Sequence, residues 1–357
     1  MDPFRIALIG AGGIARTHAK AAQDTDGRVV VSHAVDVNEQ AAADLAKEFN
    51  AKALGSFDHL LDAIKGGEPI DGLVVCTPPN ARLGIIQAAV ERGKAVLVEK
   101  PLAHTVDDAR KLQQLWERHR DVPVGVAYCH RFAPPIVCMR ELVEDGKIGR
   151  MTRFENTFAF HFPGMAEKWM SDPAVAGGGA CIDTGSHSVD LFHFLAGPSE
   201  VAGAVFDYEW DGRGESSASV VLRSRVPGVA GFIAGGWMEP ERFTVTLVGT
   251  GGLMHYDYMD AETIRFKGVD GTEHLFELAR RRSVVIVAEN ASERDGRWTG
   301  PDSAECIATA QALFAEDQRL AFADHARGGD VGRLATFADG LAASETIDAA
   351  SRLSKVI

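Results

Sequence analysis

Cysteine is scarce in the 357-residue sequence: Cys76, Cys129, Cys138, Cys181 and Cys306 are all there is. No two stand at a C-x-x-C spacing, which argues against a thiolate metal centre, and no metal is expected. An odd, scattered set with four members inside apolar or aromatic stretches predicts small buried side chains in a reducing, cytoplasmic setting. No apolar run is long enough to span a bilayer, and a first strand opening at Phe4 leaves no room for a signal peptide ahead of it. Positive charge is in deficit, with 37 Lys and Arg against 50 Asp and Glu and a formal net charge of -13. Such a field repels nucleic acid and anionic membrane surfaces. Internal repeats, low-complexity tracts and Pro-rich linkers are absent as well. What remains is an ordinary globular composition, 46% hydrophobic, at a length that predicts two domains.

The first third alternates short apolar runs with helical patterns. FRIALI (4–9), RVVVSHAV (28–35), GLVVCT (72–77), AVLVE (95–99) and PVGVAY (123–128) are separated by segments such as AAADLAKEF and LGIIQAAVERG. That is the βαβ rhythm of a doubly wound parallel sheet, and the unbroken apolar character of several runs suits strands covered on both faces. Asn38 and Thr105 stand as N-caps of the helices that follow them. After a helix around residues 136–144 the rhythm changes. Eight strand-like runs follow from Met151, interrupted by one helical stretch, IDTGSHSVDLFHFLAG, and predict an α+β domain on a large, mainly antiparallel open sheet. Two apolar-periodic stretches, 302–325 and 333–350, read as closing helices. The expected domains are 1–127, of Rossmann type, and 128–357, joined so tightly that they should share a cleft.

Gly10, Gly12 and Gly13 in IGAGGIAR follow a strand and open a helix headed by Ile14, the setting that gives a glycine motif meaning. The first glycine permits a sharp turn. The second lets backbone approach a pyrophosphate, which the N–H groups at the helix start would bind. The third position of the pattern is Ala15, an accepted replacement. Asp36 closes the second strand, where a carboxylate accepts hydrogen bonds from both ribose hydroxyls of NAD and opposes a 2'-phosphate. No basic residue at Val37, Asn38 or Glu39 offsets it. Thr77, Pro78 and Asn80 of CTPPN leave the next strand at its carboxyl edge, where open α/β sheets bind ligands.

Glu99-Lys100-Pro101 ends the following strand. Proline stops the strand there and holds the lysine ammonium at the same edge. Farther on, Asp183 and His187 stand i, i+4 on one helix face behind the glycines 177–179, with Asp190 nearly in line. Oxidising a carbinol carbon requires a base for the hydroxyl proton, a task in the range of His187; Lys100 would stabilise alkoxide charge, and Asp183 would orient His187 or bind a neighbouring hydroxyl. Taken alone, D-x-x-x-H is better explained by a capped helix with a hydrogen-bonded histidine, and only its company with Lys100 and the glycine motif reverses that reading.

GAGGIAR, Asp36, TPPN, EKPLA, the HRF-x-P run at 130–134 and GGGACIDTGSHSVD at 177–190 together resemble the glucose-fructose oxidoreductase, inositol dehydrogenase and rhizopine-catabolism family (Gfo/Idh/MocA) in order and spacing over nearly the whole chain. The resemblance implies an NAD(P)-dependent enzyme of sugars, inositols or related polyols, with a C-terminal sheet often used for oligomerisation and hence a homodimer or homotetramer. It implies a lysine at position 100, commonly ahead of a cis peptide bond, that binds the reacting hydroxyl, with catalytic roles for Asp183 and His187. Asp36 selects NAD within it. The pattern is broken at Cys129, where the family often has asparagine, and at Leu83, where it often has histidine. Tyr128, His130 and Trp169 are candidate substrate contacts, since aromatic faces suit the C–H faces of sugar rings, although core packing explains them equally well. Phe158, Phe160 and Phe162 read as sheet-face core, and Arg280-Arg281-Arg282 as a solvated loop. A non-catalytic dinucleotide-binding sensor, or a dehydrogenase of a lactone, amino sugar or nucleotide-linked sugar, remains the competing reading.

Overall fold

A computed structural model describes residues 2–225, 228–259, 263–277, 292–294, 297–299 and 317–354. The chain forms two compact units, Met1–Cys129 with Gln311–Leu341, and His130–Ala310 with Ala342–Ile357.

The first unit is built on six strands, β1 (Phe4–Ile9), β2 (Val29–Val35), β3 (Lys52–Leu54), β4 (Gly72–Val75), β5 (Ala95–Val98) and β6 (Val124–Val126), in the order β3-β2-β1-β4-β5-β6. Every pairing is parallel. β4, β5 and β6 are buried throughout, as strands covered on both faces must be. The crossover helices are α1 (Gly13–Gln23), α2 (Glu39–Phe49), α3 (Phe57–Lys65), α4 (Arg82–Val90) and α5 (Val106–Arg118). Asn38 Oδ1 accepts from the Ala41 N–H at 3.2 Å and Thr105 Oγ1 from the Asp108 N–H at 3.1 Å, so both anticipated caps form. β3 and α3 had no counterpart in the sequence reading.

Two corrections concern the C-terminal part. Residues 317–341 pack into the first unit, although everything after 127 was expected to belong to the second domain. The expected helix at 333–350 is displaced: Ala335 instead makes an antiparallel bridge to Val126, and the helix runs Phe337–Ser354. Leu334 fills the space over Gly125, where a Cβ would stand 2.9 Å from it, and Phe322 meets Phe4 edge to face at 5.8 Å. Of the stretch read as a helix at 302–325, the described residues are helical from 317 to 326; 302–316 lie outside the description, as do Arg280-Arg281-Arg282 and Cys306.

The second unit opens with α6 (Pro134–Glu144) and contains α7 (Ala180–Ala196). Its sheet comprises β7 (Met151–His161), β8 (Ser199–Asp207), β9 (Ser217–Ser224), β10 (Ala230–Gly236), β11 (Met238–Gly249), β12 (Gly252–Asp257), β13 (Thr263–Gly268) and β14 (Glu273–Glu277), in the order β14-β13-β12-β11-β7-β10-β9-β8. All pairings are antiparallel except β7 with β10. All eight anticipated strands are present. The helix α7 lies against this sheet at two glycines of β10: a Cβ on Gly231 would meet the Phe192 ring at 2.6 Å and one on Gly235 the Thr184 hydroxyl at 2.5 Å. Glycine at both lets helix and strand approach closely. No described helix is long and apolar enough to cross a membrane.

Candidate active site

In the first unit the candidate residues gather at the carboxyl ends of β1, β2, β4 and β5. Gly10 turns the chain with φ +93°, and a Cβ there would stand 3.0 Å from the Cys76 carbonyl carbon, so only glycine is accommodated without strain. Gly12 is the N-cap of α1 and, among the described residues, no side chain caps that helix. A Cβ on Gly12 or Gly13 would meet nothing within 4 Å, leaving bare backbone at the positive end of the helix dipole. Behind it, Ile14 is half-buried and Ala15 is fully buried. The donor set therefore fits a dinucleotide pyrophosphate.

Asp36 is fixed before any ligand arrives. Its Oδ2 accepts from the Ala11 N–H at 2.7 Å and its Oδ1 from the Asn38 N–H at 2.8 Å. Each oxygen retains capacity for a further donor, which suits two ribose hydroxyls. At the end of β4, Pro79–Ala81 form a short 3₁₀ turn that leaves Asn80 exposed beside Pro78; the Thr77 hydroxyl is buried and makes no hydrogen bond among the described residues.

Lys100 is half-buried and precedes a cis bond to Pro101. A buried arginine that the sequence reading passed over holds the chain around it. Arg82 Nε donates to the Thr77 carbonyl at 2.8 Å, and its Nη1 donates to the carbonyls of Glu99 and Pro101, one on each side of the lysine. Burial, above all, pushes Arg82 down to about 10, so the guanidinium stays charged at neutral pH. Glu99, a candidate cofactor contact, is itself engaged. Its Oε1 lies 2.8 Å from Nε2 of His18 on α1, a histidine only 2% exposed. The Arg319 guanidinium approaches the same nitrogen at 3.4 Å. We take the shorter contact as the hydrogen bond, with Nε2–H donating to Glu99, because one ring nitrogen cannot donate and accept at once. Burial pushes Arg319 down to about 9. Tyr128, at the end of this unit, is buried.

In the second unit, α7 carries Asp183 and His187. Asp183 Oδ2 accepts from Trp237 Nε1 at 3.1 Å, and Trp237 is itself packed with Met165 and Ala180. His187 is 5% exposed and its ring meets that of His130 edge to face at 4.7 Å. His130 stacks on Phe158 at 4.8 Å, and its Nδ1 lies 3.0 Å from the Tyr258 hydroxyl. Asp190, nearly in line with the other two, is committed elsewhere: it forms a buried, two-oxygen ion pair with Arg131. Trp169, 44% exposed, sits on a 3₁₀ turn with Ser171. Phe158 is core, as expected, while Phe160 and Phe162 pack partly buried against the Trp237 cluster. Tyr258, Trp237 and Arg82 carried no sequence signal beyond residue type.

The family model described as an oxidoreductase family with an NAD-binding Rossmann fold matches residues 4–128, and the model of the GFO/IDH/MocA C-terminal domain matches residues 136–255. Among characterised proteins, the rhizopine catabolism protein MocA of Rhizobium meliloti is 29% identical over 199 residues, 55% of this chain and 58% of MocA. Inositol 2-dehydrogenase of Rhizobium meliloti strain 1021 is 30% identical over 206 residues, 56% of each chain. The chain thus matches a little over half the length of these relatives. A solved levoglucosan dehydrogenase, in complex with NADH and levoglucosan, superposes with a TM-score of 0.82 at 20% identity, covering 99% of this chain and 98% of that one.

Proposed function

Because the chain belongs to the Gfo/Idh/MocA oxidoreductase family, with an NAD-binding Rossmann domain, we propose that it is an NAD-dependent dehydrogenase or reductase acting at a secondary alcohol or ketone carbon of a sugar, inositol or related polyol. The observation that carries this reading is the pairing on α7: Asp183, fixed by Trp237, one helical turn from the buried imidazole of His187. Such an arrangement holds a base and a hydroxyl-binding carboxylate in a fixed relation.

The bare backbone at Gly12 and Gly13 binds the pyrophosphate, and Asp36 binds the adenosine ribose. When bound, the nicotinamide supplies the hydride acceptor or donor. His187 takes the hydroxyl proton on oxidation and returns it on reduction. Lys100, its flanking carbonyls held by Arg82, stabilises negative charge on the substrate oxygen. Asp183 turns its remaining lone pairs to a neighbouring hydroxyl or to His187.

NAD is preferred over NADP. A 2'-phosphate about 4 Å from Asp36 would cost on the order of 4 kcal/mol per unit charge at an effective dielectric of about 20. Val37 is exposed beside it and offers no charge, while Arg16 of α1 is already ion-paired with Glu48. A homodimer or homotetramer is supported by the second unit's sheet, where Phe232 and Val221 lie in register and are both exposed.

A screen of polyols and aldoses that follows NADH absorbance tests the reading. At least one should reduce NAD. Clear NADH binding with no turnover of any of them would favour the sensor instead.

A further inference from the structure

Glu215 lies in the connection between β8 and β9, outside every motif discussed above. Its side chain is 6% exposed. One oxygen, Oε1, accepts from the Gly179 N–H at 3.0 Å and from the Cys181 N–H at 2.9 Å, and the Glu215 carbonyl accepts from the Ala180 N–H at 2.7 Å. Three consecutive amides at the start of α7 therefore end on one residue 34 to 36 positions away in sequence. These are donors that a helix cannot satisfy internally, and a carboxylate complements the helix dipole there. The approach is too close for side chains. A Cβ on Gly179 would overlap the Glu215 backbone, and one on Gly214 would stand 2.6 Å from the Gly178 carbonyl oxygen.

Its neighbours extend the connection. The Gly214 N–H donates to the Ser171 carbonyl at 2.8 Å, which ties in the turn bearing Trp169. The Ser216 carbonyl accepts from the Trp237 N–H at 2.9 Å, and the Trp237 indole holds Asp183. Three residues thus join the first turn of α7, the Trp169 turn and the tryptophan that orients the aspartate.

We propose that Glu215 is a positioning residue of the substrate site, its buried carboxylate fixing the first turn of α7 and through it the placement of Asp183 and His187. The inference rests on the reading of α7 as the carrier of the catalytic groups. Ionised acceptors make the stronger hydrogen bonds to backbone N–H groups, so the charge itself contributes.

The test compares Glu215→Ala and Glu215→Gln in the full-length chain. Misplacement of a reacting group by about 1 Å costs up to ~100-fold in rate; Glu215→Ala should accordingly lower kcat by roughly 10- to 100-fold and raise the substrate KM, with NADH affinity unchanged. Glu215→Gln, which keeps an acceptor oxygen at similar reach, should recover most of the kcat. Glu215→Ala with a lower Tm but wild-type kcat and KM would overturn the proposal, since that is the signature of a purely stabilising residue. Amide exchange over residues 177–190 gives a readout independent of turnover: it should accelerate in Glu215→Ala and, more modestly, in Glu215→Gln, and unchanged protection in either would also overturn it. Should Glu215→Ala fail to fold, amide exchange over residues 177–190 in Glu215→Gln decides, unchanged protection overturning the proposal. Unaltered protein that binds NADH but turns nothing over removes the dehydrogenase reading alone; the exchange arm then judges the hold of Glu215 on the helix.

Discussion

Asp190 grips Arg131 with both carboxylate oxygens: Nε stands 3.1 and 2.9 Å from Oδ1 and Oδ2, and Nη2 stands 2.6 Å from Oδ1. Both side chains are almost wholly enclosed. The pair ties α7 to the Cys129–Phe132 turn, and the Arg131 guanidinium also lies over the Phe194 ring at 5.1 Å. Breaking one side of a buried pair leaves an uncompensated charge, so Asp190→Ala should cost about 3 to 5 kcal/mol. Urea unfolding measures it, and a loss below about 1 kcal/mol, the range of a solvated surface pair, would show the pair to be inert.

Gly10 and Gly13 are opposites despite sharing one motif. Gly10→Ala forces a positive φ on a residue whose Cβ has no room, and should cost about 1 to 3 kcal/mol of stability. Gly13→Ala adds a methyl to open space at a helix start and should leave the unfolding midpoint unchanged or slightly raised, while NADH affinity falls. Equal effects of the two substitutions on stability would refute the distinction.

Asp36→Asn keeps one acceptor oxygen and loses the charge. The ratio of kcat/KM for NADP to that for NAD should rise at least ~10-fold, equivalent to about 1.4 kcal/mol. Steady-state kinetics with both cofactors would read it, and an unchanged ratio would sink the assignment of Asp36 as the discriminating group.

Lys100→Ala and His187→Ala should each reduce kcat by roughly 100- to 10,000-fold. Fluorescence titration should find NADH bound as tightly as before. Near-normal turnover in either variant would strip that residue of its role.

Glu68 supplies a pH dependence with a definite sign. The Lys52 ammonium, and after it His33, hold its carboxyl below the ordinary value of 4.5. A depressed folded-state value means the unfolded chain binds the proton more readily, so the contribution is complete above pH 4.5 and fades as pH falls through the folded value. Glu68→Gln should flatten the stability profile in that acid window only. Parallel profiles for the two proteins would contradict it.

Strands were legible where burial dictates composition. The apolar runs of β1, β4 and β5 and the alternation in β9 and β13 follow from which faces are covered, so they are written locally. β3 is three largely exposed residues, KAL, at the sheet edge, and neither length nor composition sets it apart. It exists because Val35 and its neighbours offer a pairing partner. The Arg333–Thr336 stretch misled for the converse reason: its apolar spacing suits a helix, but Leu334 and Ala335 are consumed by Gly125 and Val126. The glycine motif, Asp36, Lys100 and the Asp183–His187 pair stand out in the sequence as candidates because each is contiguous or one helical turn long. Arg82, Trp237, Tyr258 and Glu215 each make contacts 17 or more positions away in sequence, up to 128 for Tyr258, which tertiary packing alone specifies.

The return of residues 317–341 to the first unit bears on any attempt to dissect the protein. A fragment ending at Cys129 would strip β6 of its bridge, uncover Gly125 and take Phe322 off Phe4, exposing a raw sheet margin prone to pairing with other copies. A self-sufficient dinucleotide-binding half would have to be spliced, the late segment grafted back by a linker; simple truncation should yield aggregates.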